Sequence, residues 1–363
     1  MLFMNILYIS HLSTNIAAGL NWSVPASVNA QSKIDNVLWV NATEVTMDHW
    51  RKVEAYHNAS EFGGLELSLF PDPFNKPDLV VFEGFYYMDD MKMGRKLKKT
   101  HIPYIIVVRG SLTHQAMHNH AWFKKFVAHT LFFNRFIRQA TAIQYLTKGE
   151  RDDSVKRFKT PYFIVSNGFE TPSVHKSSFS MDKTKAVFIG RLDMYHKGLD
   201  LLFDVITKRH EDLRQKGFEL AIYGPRRYDF YKIGDEIKAR NIGDIVCLND
   251  EIGGKEKEKV LLDADVFIMT SRLEGHPMGL IEALAYGLPS LVTKGTNMKD
   301  EVEAEDAGWA CAGDEKSIEE ALFDMLNTRN EYMAKSERAR KLAGRYQWDK
   351  LAAAFHNEVA KLI

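Results

Sequence analysis

In the stretch SRLEGHPMGLIEALAYGLP (271–289), Glu274 and Glu282 stand on either side of His276, Pro277 and Gly279. Pro277 suits the first position of a helix, where its missing N–H costs nothing. The spacing predicts a helix from Pro277 to Tyr286, with Gly287 as its stop. Met278, Gly279 and Leu280 would leave backbone N–H groups free at its start, and Gly279 would let a ligand approach closely. An anion held there would have a carboxylate on each side, each able to accept hydrogen bonds from hydroxyls. Hydroxyls, diphosphate, hydroxyls is the pattern of a sugar nucleotide. The competing reading is a plain helix start, with Glu274 complementing the dipole and Glu282 solvated. His276 is a neighbour of the cap or a substrate contact, and nothing in the stretch chooses between them.

A second stretch, IGRLDMYHKGLDLL (189–202), places Arg191 just after an apolar run and Lys197-Gly198 at the start of the next helical pattern. Two cations at a strand end beside a helix N-terminus form a natural anion site. Arg can grip phosphate oxygens in bidentate fashion, and Lys adds a point charge. The alternative is a pair of solvated loop charges. Asp263 and Asp265 form a D-A-D that superficially suggests a metal site. It lies where a helix ends and a strand begins, so a capping or turn role is expected, with no metal and no cofactor.

These residues must be positioned by regular elements, and the chain supplies them in alternation. Its first half offers NILYIS (5–10), NVLWVN (36–41), DLVVFEG (78–84), YIIVVRG (104–110), AIQYLT (142–147) and YFIVSNG (162–168). Runs this continuous in apolar residues read as strands buried on both faces. The segments between are long enough for crossover helices, which makes a parallel α/β domain. The polar, Ser-rich ETPSVHKSSFSMDK (170–183) reads as a linker. The rhythm then restarts with AVFIG (186–190), ELAIYG (219–224), IVCLN (245–249), DVFIMTS (265–271) and PSLVT (289–293). The expected organisation is a first domain over 1–172, a linker over 173–183, a second domain over 184–344, and a terminal helix in 345–363 that packs back on the first domain. Both domains are doubly wound parallel sheets of Rossmann-like type facing across a cleft, and ligands sit beyond the carboxyl ends of such strands.

Composition narrows the function class. Hydrophobic residues at 45% and charged residues at 26% suit a globular protein with two cores. Lys+Arg and Asp+Glu are equal at 48 each, so no whole-chain field favours nucleic acid. Cys247 and Cys311 are far apart and form neither a disulfide framework nor a metal cluster, which fits a reducing compartment. The apolar start MLFMNILYISHL lacks a basic leader and a cleavage site and reads as a strand. No run approaches the roughly 20 apolar residues that span a bilayer. Local basic patches remain: Lys92, Arg95, Lys96, Lys98 and Lys99, and the amphipathic 121–140 with Lys124, Lys125, Arg135 and Arg138. Such a helix either rests on anionic lipid or packs on the sheet with a solvated edge.

GRLDMYHKGLDLL followed by SRLEGHPMGLIEALAYGLPSLVT resembles the GT4-type family of retaining glycosyltransferases with the GT-B fold. Glu274 and Glu282 match that family's E-x7-E signature, and Arg191 and Lys197 its G-R…K-G motif. The segments IPYIIVVRGSL, AIQYLTKGE and FIVSNGFE resemble a branch that makes bacterial surface polysaccharides. The resemblance implies that Arg191, Lys197 and the N–H groups of Met278, Gly279 and Leu280 bind the donor diphosphate. It implies that Glu274 holds hydroxyls of the transferred sugar and Glu282 the ribose. The base would lie near Tyr223, Gly224, Pro225 and Ile252, and Ser271 would shape the pocket.

Two departures stand out. The first loop, LSTNIAAGLNWS (12–23), carries Gly19 alone where the family has paired glycines. The family's His-Gly after the fourth strand reads Arg109-Gly110, leaving Arg109 or His114 to contact the sugar. The implied activity is metal-independent hexosyl transfer with retention, from a nucleotide sugar, UDP-linked by family frequency, to a saccharide or lipid-linked acceptor in polysaccharide biosynthesis. The implied place is the cytoplasm or the inner face of the plasma membrane. Alternatives from other classes are a catalytically impaired nucleotide-sugar-binding subunit supporting a partner enzyme, and a sugar-nucleotide 2-epimerase.

Overall fold

The computed structural model describes residues 3–13, 19–113, 133–154 and 158–363. The chain forms two compact units, Met1–Gly168 with Trp348–Ile363, and Phe169–Gln347. In the first unit the strands are β1 (Asn5–Ser10), β2 (Asn36–Asn41), β3 (Tyr56–Asn58), β4 (Leu79–Glu83), β5 (Tyr104–Val107), β6 (Ala142–Tyr145) and β7 (Tyr162–Ile164). They lie in the order β3-β2-β1-β4-β5-β6-β7, each pair parallel. In the second unit β8 (Thr184–Ile189), β9 (Phe218–Tyr223), β10 (Val246–Asn249), β11 (Val266–Met269), β12 (Ser290–Thr293) and β13 (Gly308–Cys311) lie in the order β10-β9-β8-β11-β12-β13, again all parallel.

Each order reverses direction once. In the first sheet the switch lies between β1 and β4, and in the second between β8 and β11. At such a point successive crossovers leave on opposite sides, and a crevice opens beyond the strand ends. The central strands are buried on both faces, as their continuous apolar runs demand: Leu79–Glu83 and Val266–Met269 have no exposed residue. Two strands were not foreseen. β3 (YHN) is short and half-exposed, and β13 (GWAC) alternates buried with partly exposed residues, so neither shows an apolar run.

The division falls after Gly168, ahead of the expected 172, and the segment read as a linker is part of the second unit. Some of its apolar and basic residues find partners there. Phe169 packs on that core, the Phe179 ring lies 5.8 Å from that of Tyr332, and the Lys176 ammonium is 3.2 Å from Asp265. Lack of periodicity in 173–183 marked an irregular path, and the segment is largely exposed, with Lys176 and Phe179 as its points of contact with the second unit. The last helix, Trp348–Ala360, belongs to the first unit, whereas residues 345–347 stay with the second. Phe355 and Val359 enter the core beside Tyr8 and Phe163, and His356 is 2.9 Å from the buried Asp35 carboxylate. Among the described residues no helix is long and apolar enough to cross a membrane.

Candidate donor site at the switch point of the second unit

The loops that leave β8, β11 and β12 are locked together by glycines. Gly198 has a φ of +63°, and a Cβ there would stand 2.0 Å from the Thr270 carbonyl oxygen. Only glycine permits that approach. It brings the loop carrying Lys197 against the end of β11, where the Thr270 hydroxyl donates to the Lys197 and Gly198 carbonyls. Gly295, after β12, plays the same part on the other side: a Cβ would fall 2.3 Å from the Ser271 and Arg272 carbonyl oxygens. The Glu274 N–H donates to Gly295 O at 2.8 Å, and the Asn297 amide donates to Glu274 O. Arg272, which the sequence did not single out, clamps the loop from outside through both oxygens of Asp200 at 2.6 and 2.8 Å.

This scaffold sets Lys197 against Glu274. Nζ lies 2.5 Å from Oε1, and both side chains are almost buried, at 10% and 13% exposure. The Ser271 hydroxyl donates to the same oxygen at 2.6 Å. Lys197 uses one of its three N–H donors in this bond, so the ammonium is fixed in place with donors left for an anion. Arg191 sits exposed at the end of β8, its guanidinium 5.6 Å from the Tyr228 ring centre. Glu282 is paired with Lys257, a residue the sequence did not flag.

The helix runs from Met278 to Ala285 with Pro277 as its cap, one residue later than expected, and Gly287 follows at a φ of +85°. Leu280, Ile281, Ala283 and Leu284 bury its inner face. Its start differs from the expectation in two ways. Met278 N–H donates to His276 O and Leu280 N–H to Pro277 O, so among the described residues the Gly279 N–H alone of the three lacks a partner. The side of Gly279 that lacks a Cβ faces the Ile189 carbonyl, 2.9 Å from where that carbon would be, so the glycine packs the helix on β8 instead of opening space for a ligand. His276 lies behind this turn. Both ring nitrogens are buried without a partner, and its ring is 5.5 Å from that of Tyr346. Burial pushes its pKa down to about 4 and keeps the ring neutral.

Residues 171–342 match the family described as Glycosyl transferases group 1. The match lies within the second unit and spans almost all of it. Over 140 residues, 36% of its length, the chain is 27% identical to the mannosylfructose-phosphate synthase of Agrobacterium fabrum (strain C58 / ATCC 33970). That stretch spans 30% of the relative's own length, so the chain covers about a third of it. Solved structures agree with the fold of the whole chain. The lipopolysaccharide outer core galactosyltransferase WaaB, in its apo form, superposes with a TM-score of 0.70 at 16% identity, over 99% of this chain and 100% of that one. Anabaena HepE in complex with UDP superposes with a TM-score of 0.73 at 12% identity, over 99% and 100%. The fold is GT-B.

Within the second unit, the remaining expected donor residues lie on neighbouring strand ends. Tyr223 ends β9, Gly224 and Pro225 follow it, and Ile252 follows β10. Arg226 ties the two loops through both oxygens of Asp250, at 2.5 and 2.8 Å. Gly224 lets its loop touch β8, since a Cβ would stand 2.4 Å from Gly190 O. The D-A-D acids are occupied: Asp263 by Lys185, and Asp265 by Lys176 and the Lys185 N–H. Among the described residues no group of three or more His, Cys, Asp or Glu is arranged to hold a metal.

The first unit holds its expected residues differently. Gly19 stands exposed ahead of helix Leu20–Gln31, with no atom within 4 Å of where a Cβ would be. Arg109, with a φ of +46°, is tied by two bonds of 2.8 Å to Glu83, one of 2.9 Å to Asn167 and one of 3.2 Å to Ser23. The Arg109 and Glu83 side chains are 7% and 2% exposed. The guanidinium is therefore part of a buried network. The neighbouring Gly110 N–H donates to Glu150, whose carboxyl burial pushes above its usual range. His114 lies outside the described residues, as does the 121–132 part of the basic stretch. Its described end, helix Asn134–Gln139, packs Phe136 and Ile137 inward and leaves Arg135 and Arg138 exposed.

Proposed function

We propose that the chain transfers a sugar from a nucleoside-diphosphate donor, bound at the switch point of the second unit, to a hydroxyl of a saccharide or lipid-linked acceptor. The observation that carries this reading is the interlocked Lys197–Glu274–Ser271 cluster beside the unpartnered Gly279 N–H. As the glycosidic bond breaks, its electron pair leaves with the diphosphate, and charge builds on the β-phosphate oxygens. Lys197, Arg191 and the Gly279 N–H supply fixed positive charge there, so the step calls on no metal or cofactor. Glu274 and Glu282 accept from hydroxyls of the sugar and the ribose. Retention at the anomeric carbon follows from the GT4-type resemblance. A UDP-linked donor is supported by the UDP complex of Anabaena HepE, and a surface-polysaccharide acceptor by the name of the lipopolysaccharide galactosyltransferase. A lipid-linked acceptor at a cytoplasmic membrane surface would meet exposed Lys98, Lys99, Arg135 and Arg138.

A thermal-shift screen with UDP- and GDP-sugars tests the donor, because a ligand that binds the folded state raises the melting temperature. Release of UDP on adding acceptors tests transfer. Binding without release across the acceptor panel would instead fit a donor-binding subunit. No shift with any nucleotide sugar would overturn the reading.

A further inference from the structure

Tyr228 is an anomaly of the second unit. Its φ of +56° lies in the left-handed region that glycine favours and a bulky side chain rarely adopts. Its ring is 60% exposed, so burial offsets little of that strain. The chain on either side is firmly held. Gly224 brings the loop after β9 onto the loop after β8, since a Cβ there would also stand 2.5 Å from Leu192 Cγ. The Asp229 N–H donates to Leu192 O at 2.9 Å, and the Asp229 carboxylate accepts from the Met194 N–H at 2.9 Å. Arg226 is anchored on Asp250. Between these ties Tyr228 makes the turn, and the turn carries its ring to Arg191.

The Arg191 guanidinium lies over that ring, 5.6 Å from its centre, which is within the range of a cation–π contact. Among the described residues Arg191 forms no ion pair and no side-chain hydrogen bond, so the ring is what restrains it. Lys197 is held in the opposite way, by a carboxylate that takes one of its donors. A carboxylate on Arg191 would compete with an incoming phosphate for the same N–H edge. A ring face attracts the cation through its quadrupole and takes none of its N–H donors. The long side chain is thereby restrained while the fork that matches phosphate oxygens stays open.

We infer that Tyr228 is a positioning residue for the donor diphosphate, acting through Arg191. The inference rests on the reading of Arg191 as a diphosphate contact. Glycine would make the same turn without strain and without the ring, so the two contributions can be separated by experiment.

The test is a double-mutant cycle on the full chain, with the dissociation constants of UDP and GDP measured by titration calorimetry. Tyr228→Gly should melt no lower than the wild type, because the turn suits glycine. It should nevertheless bind the preferred nucleotide about two- to fivefold more weakly. Tyr228→Phe keeps the ring face and should bind as the wild type does. Arg191→Ala should weaken binding by about tenfold or more, and adding Tyr228→Gly to it should change nothing further. A Tyr228→Gly chain that binds as tightly as the wild type overturns the inference. Equal weakening in both backgrounds also overturns it, since the ring would then act without Arg191. If the wild-type chain binds neither nucleotide, the donor reading has failed and the inference falls with it. If Arg191→Ala binds as tightly as the wild type, Arg191 has no place in the site and the inference falls for that reason. Both results differ from a tight-binding Tyr228→Gly beside a weakened Arg191→Ala, which sinks the positioning role alone.

Discussion

Both sheets place a nitrogen-bearing side chain and a carboxylate at the point where strand order reverses, but the partners differ. In the second unit Lys197 is held by Glu274 and Ser271. In the first His11 is held by Asp90 and lies flat on Tyr87. A fixed ammonium suits a diphosphate, whose charge must be met throughout the reaction. One strand away from the first switch, Arg109 carries as much charge as Lys197 yet spends it on Glu83, Asn167 and Ser23. Charge at a strand end is therefore no guide to function until its partners are counted.

The contrast between Arg109 and Lys197 can be broken by substitution. Arg109→Ala leaves Glu83 buried without its partner and should cost about 3–5 kcal/mol of stability, read as a fall in the urea midpoint. The melting shift induced by UDP should survive wherever the variant is folded. An Arg109→Ala chain of normal stability that has lost turnover would make Arg109 a sugar contact after all. Lys197→Ala should reverse the pattern, keeping a cooperative melt while UDP release falls about 10²–10³-fold. Near-normal turnover would remove Lys197 from the site.

His276 offers a sharper test, because its expected signal has a sign. Its folded pKa of about 4 lies below the unfolded value of about 6.5, so the unfolded chain binds the extra proton between those pH values. Its contribution is complete above pH 6.5 and is lost as pH falls toward 4. Between pH 7 and pH 5 the loss should be on the order of 2 kcal/mol. His276→Phe should flatten that part of the stability curve relative to wild type, and parallel curves would mean the ring is solvated. The smallest effect belongs to Gly19→Ala. With no atom near the added carbon and an ordinary helical φ of −55°, stability should move by less than about 0.5 kcal/mol. Any larger loss in turnover would mark that backbone as a donor contact.

The candidate donor cluster could be read from the sequence because its parts are local. Arg191, Lys197 and Gly198 fall within one strand-end loop, and Glu274, Pro277 and Glu282 within another, each beside a strand with a clear apolar run. Three-dimensional closeness supplied what the sequence could not. Lys257 reaches Glu282 from another helix, and Gly279 turned out to face the Ile189 carbonyl. His11 and Asp90 are 79 residues apart in segments with no motif, and only the parallel pairing of β1 with β4 brings them together. Arg109 misled for the opposite reason: its neighbours in sequence suggested a site, while Glu83 and Asn167 decided its environment.

The final helix bears on how the chain is made. Phe355, His356 and Val359 complete a core begun by β1, and Asp35 waits for its imidazole partner across 321 residues. On a ribosome, Phe169–Gln347 is finished before that helix is synthesised. The first unit, translated earlier, therefore lacks a wall until that helix is made. The unit begun first is completed last.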